Sequence, residues 1–136
     1  MISNNQLITV IISAFVMLGL DYVYLSSSSN FFNRLVKNIQ GSKIQLNMLG
    51  LVLCYLTLVA GINYFIILNN SLTKKQKLIN AVLLGLFVYG VYEFTNVSIL
   101  QKWTWPAVIL DTVWGGVLFL VTTWLTLLIV KKLNLK

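Results

Sequence analysis

The chain has no histidine, a single cysteine, a single proline and only three acidic residues among its 136. Each scarcity removes a class of chemistry. Without histidine, the commonest acid–base catalyst and metal ligand is gone. The lone cysteine, Cys54, excludes an intrachain disulfide and a thiolate zinc cluster; inside an apolar run it reads as a small buried hydrophobe. No Gly-rich phosphate loop and no serine or cysteine nucleophile motif is present, and nothing carries a nucleotide, haem or zinc signature.

Charge is scarce as well. Charged residues make up 10% of the chain and hydrophobic ones 58%, against about 25% and about 45–50% in globular proteins. This composition predicts an all-α integral membrane protein whose first partner is the lipid bilayer. The net charge of +7 comes from ten basic residues at the ends of apolar segments. They form neither a groove-sized patch nor a basic helix, so they anchor and orient the chain and do not point to nucleic acid.

Four apolar spans, about 7–25, 46–68, 78–97 and 106–130, are each long enough to cross hydrocarbon at the helical rise. They predict a four-transmembrane-helix bundle in a single membrane domain, residues 1–136. The first span lacks a basic lead and a small-x-small cleavage site, so it is not read as a signal peptide. Ser26 to Asn30 form a polar cluster expected to end helix 1. In the next stretch, about 31–40, Phe31, Phe32, Leu35, Val36 and Ile39 share one face, opposite Arg34, Lys37 and Asn38. With Asn30 as N-cap and Gly41 as stop, it predicts a short interfacial amphipathic helix between helices 1 and 2.

Further along, Ser71 or Thr73 is placed to cap helix 3, and Lys102, Trp103 and Trp105 read as an interfacial aromatic belt. Pro106 falls in the first turn of helix 4, where a missing N–H is harmless. Neither Gly50 with Gly61 nor Gly85 with Gly90 has the GxxxG spacing. An even number of spans puts both termini on one side. That side carries Lys74, Lys75, Lys77, Lys131, Lys132 and Lys136 against Arg34, Lys37, Lys43 and Lys102 on the other, which favours cytoplasmic termini.

The three acids, Asp21, Glu93 and Asp111, all lie inside or at the edge of apolar spans. Placing an ionisable group at the centre of a membrane helix costs roughly 2.5–3.5 kcal/mol on insertion scales, so such residues mark a functional site by default. Sequence position converts to depth. Asp21 and Glu93 lie near the far ends of helices 1 and 3, and Asp111 lies near the start of the returning helix 4. All three therefore fall at nearly one depth on one membrane face, whichever side that face is. Tyr89, Glu93 and Asn96 follow at i, i+4 and i+7, with Tyr92 one turn before Asn96. Asp111 shares a face with Trp114, and Gly115 leaves room beside them for a neighbour or a ligand. Asn47 enters from helix 2 nearer the surface, and Tyr22, Tyr24 and Trp103 are placed to line the mouth. The bland alternative is an ion-pair cluster in which Arg34, Lys43 or Lys102 neutralises the acids. Beyond this depth the polar residues stop, leaving Asn63 and the Thr122-Thr123 pair as thin support for a continuous pore.

Three stretches, Leu20-Asp21-Tyr22-Val23-Tyr24-Leu25, Tyr89-Gly90-Val91-Tyr92-Glu93-Phe94-Thr95-Asn96 and Asp111-Thr112-Val113-Trp114-Gly115, resemble a family of small predicted multi-pass membrane proteins. That family is catalogued as domain of unknown function 2177. Its pattern is Leu-Asp-x-x-Trp-Leu, Tyr-Gly-x-Tyr-Asp-x-Thr-Asn and Asp-x-x-Trp-Gly. This chain departs at Tyr24, where the family has Trp, and at Glu93, where it has Asp. The resemblance implies four helices and implies that Asp21, Glu93, Asn96 and Asp111 belong together. It implies no reaction.

Three functional classes fit. The first is a carboxylate-lined polar pocket in one leaflet, formed by Asp21, Tyr89, Tyr92, Glu93, Asn96, Asp111 and Trp114. It would bind or convey a cation or a small polar or lipid ligand. Asp21, Glu93 and Asp111 are then also candidate ligands for a divalent cation, which favours oxygen. Transport by so few helices would call for a homo-oligomer. The second is an acid–base enzyme on a lipid or isoprenoid, an isomerase, cyclase or hydratase. In it Asp111 or Glu93 donates the proton and Asp21 partners it. The third is a structural membrane protein.

Overall fold

In the computed structural model, which describes residues 3–135, the chain forms four long helices. These are α1 (Asn4–Gln40), α2 (Met48–Ile62), α3 (Lys74–Ile99) and α4 (Trp105–Lys132). A π-helical turn, Asn63–Ile67, continues α2, and together they make a 20-residue span. All four helices are long and apolar enough to cross a membrane. Lys136 and the first two residues, counted in the sequence reading, lie outside the described residues.

Side chains next to the helix ends set where they start. Ser3 and Gln6 form a reciprocal capping box at the start of α1, and Thr73 with Gln76 repeats it at α3. Asn47 accepts from the Gly50 N–H at 3.0 Å and so serves as the N-cap of α2, not as a pocket residue. Trp105 and Pro106 open α4.

Helix 1 does not stop at the serines. Residues 31–40 continue α1 without a break, so a separate interfacial helix is not formed. The reason is local. Ser27, Ser28 and Ser29 donate their hydroxyls to the carbonyls of Val23, Tyr24 and Ser26, one turn back. They therefore stay inside the helix, the mode open to serine when it is not capping. Asn30 is an interior residue whose carbonyl accepts from Arg34 Nε. Gly41, at φ 80°, does end the helix as expected, in the left-handed region. At 37 residues, α1 is about 55 Å long by the helical rise. A hydrocarbon core of about 30 Å leaves its last turns projecting beyond the apolar layer. The chain then folds back along this projection, with Ile44 N–H on Asn33 Oδ1 and the Lys102 ammonium on the Asn38 carbonyl.

Within lipid, helices associate through close packing and hydrogen bonds and not through apolar burial. Helices α3 and α4 show this most clearly. A Cβ added to Gly85 would lie 2.1 Å from Gly115 O, and one added to Gly115 would meet the Tyr89 ring at 2.4 Å. The two backbones thus touch through a glycine from each helix, a pairing between helices that no spacing within one helix reveals. Met17, Val59, Ile62, Ile66, Ile67, Ala81, Leu118 and Phe119 make the central core. Large side chains such as Phe15, Leu49, Tyr64 and Val91 are exposed, and an apolar exterior of this kind is what a lipid-facing surface requires.

Candidate functional site

All three acids meet at one level of the bundle. Asp21 on α1 is 5% exposed and both its oxygens are occupied. Oδ1 accepts from the Trp114 indole N–H at 2.8 Å, and Oδ2 accepts from the Tyr55 hydroxyl. Asp111 on α4 is half-buried, and its Oδ1 accepts from the Tyr24 hydroxyl at 2.8 Å. Tyr24 stacks face to face on Trp114, 4.4 Å between centroids and 9° from parallel. These two rings form a plate that ties α1 to α4 and spaces the two aspartates.

Glu93 on α3 is fully buried. Its Oε2 accepts from the Trp103 indole N–H at 2.7 Å, while Oε1 is buried with no donor. The Asp111 carboxyl lies within hydrogen-bonding reach of Glu93. Ionised carboxylates only accept, so these two become partners when one of them holds a proton.

Every donor to the acids is neutral. Among the described residues no lysine or arginine pairs with them. Arg34 and Lys102, which an ion-pair cluster would use, bond to the carbonyls of Asn30 and Asn38. Nor do three His, Cys, Asp or Glu side chains converge as metal ligands among the described residues. Both oxygens of Asp21 and one on each of the other two acids accept from indole or phenol donors.

The remaining sequence candidates divide. Trp114 is bound into the cluster. Tyr89 and Tyr92 line an adjoining cleft. Asn96 hydrogen-bonds none of the acids, and its Nδ2 is buried without a partner. Tyr22, placed at the mouth from its sequence position, is 73% exposed and, with Tyr55, lines a hollow between α1 and α2. Tyr55 escaped notice, although a phenol in an otherwise apolar helix is a usable signal, since its hydroxyl needs a partner wherever lipid surrounds it.

The cleft runs between α2 and α3, with a volume of about 490 Å³, and Asp111 is the one acid in its lining. Leu53, Cys54, Thr57 and Leu58 line it from α2, and Val88, Tyr89 and Tyr92 from α3. An apolar hollow of this size with few polar groups has the form of a small-molecule site.

Residues 6–128 match the family model described as a predicted membrane protein (DUF2177). The chain belongs to this family. No curated protein and no solved structure matches it. In this DUF2177 protein the acids of the three resembling stretches lie on three different helices, and the folded bundle brings them to one level. Tyr24, standing where the family pattern has Trp, contributes both a stacking ring and a hydroxyl for Asp111.

Proposed function

We propose that this DUF2177 protein binds a lipid or other amphiphile in one leaflet. The tail lies in the cleft between α2 and α3, and a cationic or hydroxyl-bearing headgroup meets Asp111. The observation that carries this reading is a carboxyl without a basic partner in the lining of an apolar hollow that opens on the bundle's side. An acid in that position attracts a donor or a positive charge, and surrounding hydrocarbon strengthens the attraction. With the termini cytoplasmic, as the lysine distribution favours, the cleft opens in the opposite leaflet.

One observation favours a second reading, acid–base chemistry on such a ligand. Glu93 and Asp111 face each other, so a proton donor and an acceptor stand side by side. Asp21 is a poor partner for this role because Tyr55 and Trp114 hold both its oxygens.

Melting of the detergent-purified protein with single-chain amphiphiles of equal tail length tests the binding reading. An alkylamine should raise the parent's melting temperature and leave Asp111→Asn unmoved. At 100 times the dissociation constant, binding adds about 2.7 kcal/mol. An alkyl phosphate that stabilises the parent as much as the amine does would overturn the proposal.

A further inference from the structure

Beyond the acids, the seam between α1 and α4 contains a second buried polar group of side chains. The hydrogen bonds from Trp114 to Asp21 and from Tyr24 to Asp111 fix an antiparallel register between the two helices. Carried down the seam, that register sets Met17 level with Leu118, Ser13 level with Thr122, and Thr9 level with Thr126. All six are buried. On α1 they recur every four residues from Asp21, and on α4 they continue the series Asp111, Gly115, Leu118, so each set keeps to one helical face. Polar groups thus do not stop halfway through the bundle. They resume after one apolar layer.

The lower group is unusual in its bonding. Thr9, Thr57 and Thr95 donate to a carbonyl one turn back, as helical threonines commonly do. Thr122, Thr123 and Thr126 are fully buried, yet their hydroxyl oxygens have no protein partner. Asn63, which opens the π-helical turn, spends its amide nitrogen on Ser13 Oγ and Val59 O, and its Oδ1 is buried without a donor. Four such atoms in one region of a membrane protein call for an unseen partner, because lipid offers none. Water is the neutral molecule that both gives and accepts hydrogen bonds at this scale. From Asp111 to Thr126 the seam covers about 22 Å along the helix axis, much of a core of about 30 Å.

We propose that the α1–α4 seam is a proton path: water bridging Thr126, Thr122, Ser13 and Asn63 connects the face bearing the termini to the Asp111–Glu93 carboxyls, and Met17 with Leu118 forms the apolar constriction between. Each transfer breaks one O–H bond on the donor oxygen and forms one on the acceptor, water or carboxylate, and a proton taken up at one end is matched by one released at the other, so nothing is oxidised or reduced. Dewetting of an apolar constriction is an established way to gate such a path. The proposal shares only the carboxylates with the ligand-binding reading.

The test uses vesicles of neutral lipid holding the full chain and an entrapped pH-sensitive dye, with proton entry driven by a potassium–valinomycin potential. The parent should acidify the lumen faster than protein-free vesicles do. Thr122→Val combined with Thr126→Val, which keeps shape and removes both hydroxyls, should return the rate to the protein-free level. Leu118→Thr, which wets the constriction, should raise it above the parent. A parent rate equal to that of empty vesicles, a parent-like rate in a folded valine pair, or no rise in Leu118→Thr each overturns the proposal. The readout is proton flux through the seam and not occupancy of the cleft, so a failure here leaves the cleft reading standing, and the alkylamine melting shift reads that one separately.

Discussion

Helices α3 and α4 touch backbone to backbone, whereas the outer half of α2 stands away from its neighbours. Gly85 and Gly115 admit no added atom, but on α2 Met48, Leu49, Val52, Leu53 and Leu56 are all exposed. Val59, Ile62, Ile66 and Ile67 hold the other end of α2 in the core. Clefts flank the free half on both sides, about 490 Å³ against α3 and about 740 Å³ against α1. Tyr55, bonded to Asp21, is the polar tie between them. The contrast sets buried acids on a rigid pair of helices beside a side of the bundle that is open. Glu93 and Asp111 sit on the close-packed pair, which fixes their geometry, and the loosely covered helix provides the opening.

This contrast can be broken at several points. Gly85→Val should be the most damaging, by about 3 kcal/mol, since overpacking a site that cannot shift costs at the top of the usual range. Thermal or denaturant unfolding in detergent reads the loss, and a parent-like midpoint would mean the two backbones are not in contact. Trp114→Phe comes next at about 2 kcal/mol, because it removes a donor to buried Asp21 within the tight half. The same melts check it, together with loss of the near-ultraviolet signal of the stacked Tyr24–Trp114 pair. Tyr55→Phe removes Asp21's other donor from the loose half and should cost only about 1 kcal/mol. A larger effect than Trp114→Phe would reverse the assignment of rigid and open halves. Gly61→Ala should be the mildest. An added Cβ there meets nothing within 4 Å, and the helix preference of alanine over glycine gains at most about 1 kcal/mol.

The four spans were legible because a long apolar run admits little else. The common depth of Asp21, Glu93 and Asp111 also followed from counting residues along the helices, and it holds in the folded bundle. Two features were hidden for different reasons. Serines 26–29 look like a helix stop, yet three of their hydroxyls bond back into α1, and either outcome is compatible with the composition. The hydroxyl group on the lower seam was hidden because Thr9, Ser13, Thr122 and Thr126 are ordinary residues for a membrane helix. Only the register between α1 and α4 sets them opposite one another. Tyr55 and the Gly85–Gly115 contact were likewise matters of which helix lies next to which, a relation that periodicity within one helix does not contain.

The most direct test of the central claim is native mass spectrometry of the protein released from mild detergent. The parent should carry a bound lipid or other amphiphile that survives delipidating washes. Asp111→Asn, folded as judged by its melting curve, should lose that adduct, and Asp21→Asn should keep it. An adduct retained equally by the parent and Asp111→Asn would contradict a ligand held by this carboxyl.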